Sequence, residues 1–126
     1  MERLKSKTAL IVDDDDRNIF ALRSYLETFE MKTEIAKNGE EALALLRNRT
    51  KADIILLDMM MPVMDGFETL EALKQDKVLK QIPVVAVTAK AMKGDKEKCL
   101  EAGAWDYVSK PLDLNLLIDK IARWIL

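Results

Sequence analysis

The sequence predicts an α/β fold in which a five-stranded parallel sheet is covered by helices on both faces. Three observations lead there. Short apolar runs alternate with helical patterns about ten to fifteen residues long, five of each along 126 residues. Several runs are apolar at every position, which suits strands with no wet face. Acidic residues stand where such runs stop: Asp13-Asp14-Asp15-Asp16 follows Ala9-Leu10-Ile11-Val12, and Asp58 follows Ile54-Ile55-Leu56-Leu57. In an open parallel sheet the strand C-termini share one edge, and ligand sites form there.

The elements follow in order. Thr8–Val12 is a β-rich run, and Ile19, Leu22, Leu26 and Phe29 then recur at helical spacing. Lys32–Ala36 is a weaker, half-exposed strand. Asn38 is placed to cap the next helix with Glu41 at its third position, ahead of Ala42, Leu43 and Leu46. Ile54–Leu57 is a fully buried strand. Pro62 and Gly66 bracket a loop, with Asp65-Gly66 read as turn chemistry, before Phe67, Leu70 and Leu73 mark a third helix. Pro83 opens the β-branched run Val84–Val87. A helix reaching Cys99-Leu100 stops at Gly103, and Trp105–Ser109 gives the fifth strand. The last helix starts near Asp113 and carries Leu114, Leu117, Ile118, Ile121 and Ile125 on one stripe. Residues 1–126 form a single domain on this reading, with no output domain expected after the last helix and the first seven residues loosely held.

Composition narrows the chemistry. A hydrophobic content of 49% with 33% charged residues is that of a soluble globular chain. A net charge of -2 gives no reason to expect nucleic-acid binding. No apolar stretch approaches the ~20 residues of a membrane span, and the basic start leads into a run too short for a signal peptide. The single cysteine, Cys99, fits a small core residue in a reducing cytosol, so a cytoplasmic location is expected. The chain has no histidine, which removes histidine-based acid/base chemistry, Ser-His-Asp triads and the usual zinc sites. What remains is carboxylates, lysines, hydroxyls and a metal.

Carboxylates gathered at one edge repel each other and resist ionisation unless a cation joins them. Hard oxygen ligands with room left for water and phosphate suit Mg²⁺. Taken alone, Asp13–Asp16 is more often a solvated loop and helix N-cap than a metal site, and Asp58 is equally an ordinary loop carboxylate. Met59-Met60-Met61 and Met64 read as packing and loop fill rather than soft-metal ligands. Trp124 reads as peripheral core, and Tyr107 by itself as a half-buried strand aromatic.

The post-strand loops, taken together, are more specific. In order they are Asp13-Asp14-Asp15, Asp58-Met59-Met60-Met61-Pro62-Val63-Met64-Asp65-Gly66, Thr88-Ala89 and Ser109-Lys110-Pro111. This set resembles the receiver domain of two-component response regulators over essentially the whole chain. Ile82-Pro83-Val84-Val85-Ala86-Val87-Thr88-Ala89 and Ala102-Gly103-Ala104 are similar to receivers of hybrid histidine kinases and of some single-domain regulators. The resemblance implies a flavodoxin-like doubly wound (βα)5 sheet of order 2-1-3-4-5.

It also implies roles. Asp58 would accept a phosphoryl group from a phosphohistidine donor as an acyl phosphate. Asp14, Asp58 and the backbone carbonyl of Met60 would bind Mg²⁺, with Asp13 assisting through water. Lys110 and Thr88 would donate to phosphoryl oxygens, and Pro111 would follow a cis bond. Movement of Thr88 toward the phosphate would free space for Tyr107, switching the surface of helix four, strand five and helix five. Met60 and Lys90, two residues after Asp58 and Thr88, occupy positions where the family varies and are expected to tune acyl-phosphate lifetime. Trp105 departs from the small polar or acidic residue common there, and an exposed tryptophan could mark a partner contact. The expected partners are a histidine kinase or histidine phosphotransfer protein and a downstream protein or parent kinase, with no nucleic acid and no membrane insertion. Such a domain is a phospho-acceptor that promotes its own phosphotransfer and dephosphorylation rather than a turnover enzyme. A Mg²⁺-dependent phosphatase would commonly carry a second aspartate where Met60 stands. A flavin or nucleotide carrier would not meet phosphate with four carboxylates, and a phosphorylation-independent module would be expected to lack site residues.

Overall fold

Strands β1 (Thr8–Val12), β2 (Lys32–Ala36), β3 (Ile54–Asp58), β4 (Val84–Thr88) and β5 (Asp106–Ser109) form one parallel sheet of order β2-β1-β3-β4-β5 in the computed structural model. The structure describes residues 2–48, 50–61, 63–88 and 94–126. Helices α1 (Asp16–Glu27), α2 (Gly39–Arg47), α3 (Gly66–Gln75), α4 (Asp95–Ala102) and α5 (Leu114–Ile125) alternate with the strands.

The uniformly apolar strands are explained by two cores. Leu10, Val12, Ile55, Leu57, Val84 and Ala86 face α2, α3 and α4, with Leu43, Leu46, Leu70, Leu73 and Cys99 packed on them. Their neighbours in sequence, Ala9, Ile11, Ile54, Leu56, Val85 and Val87, point the other way onto Ile19, Leu22, Leu26, Leu117, Ile118 and Ile121 of α1 and α5. Strand side chains alternate faces, so only an unbroken apolar run serves both layers. The edge strands are the exceptions: β2 has Lys32 and Glu34 exposed and Ala36 buried, and β5 alternates buried Asp106 and Val108 with half-buried Tyr107 and Ser109.

Asn38 caps α2 by accepting from Glu41 N at 2.9 Å, while the Glu41 carboxylate accepts from Lys37 N at 3.1 Å. Gly103 ends α4 at φ 120, a conformation that favours glycine.

Several expectations need correction. The first residues are held: 2–4 form a 3-10 turn, and Leu4 is fully buried in the α1/α5 core. Phe29 lies beyond α1, half-buried against the same core. Asp58 and Thr88 are the last residues of β3 and β4 rather than the first beyond them, and β5 starts at Asp106 rather than Trp105. Asp65-Gly66 is a helix start rather than a plain turn. The Asp65 carboxylate accepts from Glu68 N at 2.9 Å, and the Glu68 carboxylate accepts from Asp65 N at 3.3 Å. A Cβ on Gly66 would stand 2.5 Å from the Met59 backbone, so α3 packs directly on the loop after β3. A second 3-10 turn, Leu79–Gln81, follows Asp76, whose carboxylate accepts from Val78 N and Leu79 N.

Candidate functional site

The chain leaves β1 toward β2 on one side, and β3 lies on the other, so a crevice opens between β1 and β3 at their C-terminal ends. Val12 is in register with Leu57, which sets Asp13 and Asp58 side by side one residue further on. Both are buried, at 3% and 4% exposure, whereas Asp14 beside them is exposed. One carboxylate oxygen from each of Asp13, Asp14 and Asp58 lies within 4.8 Å of the others.

Local hydrogen bonds fix the two buried acids. Asp13 N donates to Ala36 O at 3.0 Å, and Oδ1 of Asp13 accepts from Asp15 N at 2.9 Å. Oδ1 of Asp58 accepts from Met60 N at 3.0 Å, while Met59 N donates to Val87 O at 2.9 Å. Each aspartate thus binds the backbone two residues on, the turn such side chains favour. Asp15 turns outward and caps α1, accepting from Arg17 N at 2.8 Å.

Burial pushes the Asp58 carboxyl up to about 6, and the charges of Asp13 and Asp14 act in the same direction. The Met60 N–H and the Lys110 ammonium oppose this without cancelling it. Converging hard oxygens around a buried carboxylate that resists its own charge fit a small divalent cation. Asp13, Asp14 and Asp58 are the residues that could hold one.

The far wall comes from β4 and β5. Thr88 is buried at the end of β4, one residue beyond Val87, which pairs with Asp58. Thr88 O accepts from Lys110 N at 2.7 Å, and Lys110 Nζ reaches to 3.9 Å from Asp58 Oδ2. The Lys110–Pro111 bond is cis. Tyr107 is half-buried against the α2/α3/α4 core and in register with Ala86.

The structure therefore gathers Asp13, Asp14, Asp58 and Lys110, with Thr88 at the adjoining strand end. Met60 contributes its N–H to Asp58 while its side chain is exposed. Pro62, Ala89 and Lys90 lie outside the described residues. The Met60 N–H donor was not anticipated, although the residue two after an aspartate is the usual donor in such a turn. At the opposite end of the sheet, Trp105 is 37% exposed and sits edge-on to Trp124, with ring centroids 5.5 Å apart. No helix among the described residues is long and apolar enough to cross a membrane.

Comparison with known proteins agrees with this geometry. Residues 9–122 match the family model of the response regulator receiver domain. The chain is 39% identical over 119 residues to the polar-differentiation response regulator DivK of Brucella anthropi, covering 94% of this chain and 96% of that protein. The receiver domain of sensor histidine kinase PA1611 from Pseudomonas aeruginosa PAO1, solved with a magnesium ion coordinated in its active-site cleft, superposes with a TM-score of 0.86. It is 30% identical, over 95% of this chain and 98% of that one. The receiver domain of Ssk1, solved with the Saccharomyces cerevisiae histidine phosphotransfer protein Ypd1, gives a TM-score of 0.88 at 29% identity, over 97% of this chain and 90% of that one. With its strand order, its acidic crevice and a family match over most of its length, the chain belongs to the response regulator receiver domains of two-component signal transduction.

Proposed function

We propose that Asp58 is the phosphoacceptor of this receiver domain and that its donor is a phosphohistidine of a histidine kinase or histidine phosphotransfer protein, on another protein or another region of the same one. The observation that carries the reading is the placement of Asp58 among Asp13, Asp14 and Lys110, with acidic oxygens within 4.8 Å on one side and an ammonium at 3.9 Å on the other. In-line transfer needs a held nucleophile, positive charge around the phosphoryl oxygens and little else. Met60 N anchors Oδ1 of Asp58, which leaves Oδ2 on the Lys110 side to attack phosphorus as the donor's N–P bond breaks. Lys110 then donates to one phosphoryl oxygen and the Thr88 hydroxyl to another.

Asp14, Asp58 and the Met60 carbonyl would hold Mg²⁺, with Asp13 assisting through water. When bound, the ion supplies charge neutralisation to the carboxylates and the transferring group. The magnesium-bearing receiver of PA1611 supports this assignment, and the Ypd1 complex of Ssk1 supports a phosphotransfer protein as donor. Residues 1–126 contain no histidine, so the donor lies outside them.

Phosphorylation adds charge beside Thr88, and the switch we assign runs from Thr88 to Tyr107 and outward to the surface of α4, β5 and α5. A downstream protein, or the parent kinase, would read that surface. We place the protein in the cytoplasm, as a single receiver over residues 1–126 that promotes its own phosphotransfer and dephosphorylation and binds no nucleic acid.

The test is incubation with a small phospho-donor and Mg²⁺, with intact-mass analysis of wild type and Asp58→Asn. A labile adduct that needs Mg²⁺ and is missing from the variant is expected. An adduct on the variant, or rapid turnover of unrelated phosphate esters, would overturn the assignment.

A further inference from the structure

Three consecutive methionines follow the proposed phosphoacceptor, and the fold treats them differently. Met59 and Met61 are buried at 2% and 8% exposure, whereas Met60 between them is 69% exposed. Met59 and Met61 belong to the α2/α3/α4 core, and Met59 packs under Gly66. Met60 lines an open groove of about 390 Å³ together with Met59, Met61, Asp65 and Phe67. Its backbone N–H holds an oxygen of Asp58 at 3.0 Å, so the side chain springs from a residue that touches the site. Among the described methionines, Met31 is also buried and Met64 half-buried. Cys99, the chain's only thiol, is buried at 1% exposure.

We propose that Met60 oxidises ahead of the other described methionines, and that its sulfoxide shortens the life of the phosphoryl group on Asp58. The inference rests on the Asp58 reading above. A peroxide transfers one oxygen to the Met60 sulfur: the O–O bond breaks, an S–O bond forms, the thioether loses two electrons and water departs. The product is polar and strongly hydrogen-bond accepting where the thioether was apolar. An acceptor at this rim holds water beside the acyl phosphate. Water attack on phosphorus breaks the bond to Asp58, frees inorganic phosphate and restores the carboxylate, with the water protons passing to phosphate and solvent. The side chain is reachable by methionine sulfoxide reductases, which makes the change reversible.

The experiment treats the full chain with limiting hydrogen peroxide and maps sulfoxide by peptide mass. Oxidised and untreated protein are then phosphorylated with acetyl phosphate and Mg²⁺, the donor is removed, and loss of the adduct is followed by intact mass. Met60 is expected to oxidise well ahead of Met59 and Met61. Adduct loss should quicken by about fivefold, the rate equivalent of one net hydrogen bond. Met60→Leu should show no peroxide effect on its own rate, and Met60→Gln should decay faster than Met60→Leu without peroxide. Oxidation of Met60 no faster than of its neighbours, an unchanged lifetime, or an equal peroxide effect in Met60→Leu would each overturn the proposal. If untreated protein forms no adduct, the Asp58 reading fails and this inference with it. If the adduct forms normally and only the peroxide effect is missing, the Asp58 reading stands and the Met60 inference alone is lost.

Discussion

The Lys110 ammonium stands 3.9 Å from Asp58 Oδ2, near enough to attract that carboxylate and too far to hydrogen-bond it. The lysine therefore offsets only part of what burial and the charges of Asp13 and Asp14 impose on Asp58, whose carboxyl stays at about 6 against an ordinary 3.8. A carboxyl raised on folding stabilises the native state at low pH, and that contribution is lost as pH rises through its folded value. Metal-free protein should accordingly lose stability between about pH 4 and pH 6 from this group. Asp58→Asn keeps an acceptor for Met60 N and carries no charge. It should match wild type near pH 4 and exceed it by up to about 3 kcal/mol above pH 6. Urea unfolding across that range in chelator checks it, and a variant no more stable than wild type at pH 7 would contradict it.

Divalent cation should offset most of that difference. An ion bound only by the folded protein stabilises by about 2.7 kcal/mol at a hundredfold excess over its dissociation constant. Mg²⁺ should raise the melting temperature of wild type and leave Asp58→Asn nearly unmoved. Asp13→Asn and Asp14→Asn should each need more Mg²⁺ for the same rise. Equal responses in all four proteins would remove the acidic crevice as the metal site.

How much of this was legible depends on the range of each interaction. Strands buried on both faces announce themselves as unbroken apolar runs, so β1 could be read end to end, and β3 and β4 up to their polar last residues, Asp58 and Thr88. The Asn38 cap was legible because its signal spans three residues. Leu4 was not, since one apolar residue among charges has no period to read. The site residues could be named from their positions after the strands, but their convergence depends on registers such as Val12 with Leu57, which no local pattern encodes. Asp106 is the clearest loss. Its carboxylate accepts from Lys120 Nζ at 2.8 Å and Trp124 Nε1 at 2.9 Å, partners 14 and 18 residues away. Trp124, read as peripheral core, is half-buried and uses its indole N–H as well.

That network carries its own pH prediction. Burial works to raise the Asp106 carboxyl, but hydrogen bonds from Lys120, Trp124 and Tyr107 N, with the Lys120 charge, bring it below 3.8. A depressed carboxyl stabilises above its unfolded value and loses that contribution as pH falls through the folded one. Asp106→Asn should cost about 2–3 kcal/mol at neutral pH, because Lys120 keeps a charge facing an amide. The difference from wild type should shrink below about pH 3.8. Denaturation followed by tryptophan fluorescence at pH 7 and pH 3 tests both statements.

Gly66 reports on the seat of α3. An alanine there would drive Cβ to 2.5 Å from the Met59 backbone, which cannot rotate away as a side-chain end could. Gly66→Ala should cost about 1–3 kcal/mol. Because Met59 lies next to Asp58, it should also slow adduct formation more than a stability loss of that size would. Gly103→Ala, whose Cβ comes no nearer than 3.8 Å to any neighbour but sits at φ 120, should lower stability and spare the adduct.

Trp105 separates structure from docking at the far end of the sheet. Its ring meets Trp124 edge-on at 5.5 Å and helps line a cavity of about 50 Å³ with Leu70, Leu73, Leu79 and Ile82. An edge-to-face pair contributes about 0.5–1.5 kcal/mol beyond the area it covers. Trp105→Ala should therefore lower stability by about 1–3 kcal/mol. Trp105→Phe should recover part of that loss. Neither should alter acetyl phosphate labelling of Asp58, since Trp105 N bonds Val84 O at the start of β4 while Thr88 ends that strand. Binding to the cognate histidine-bearing partner decides the remaining role. Unchanged affinity in Trp105→Ala assigns the residue to packing alone, whereas a loss of affinity that Trp105→Phe does not restore makes the exposed third of the indole a contact.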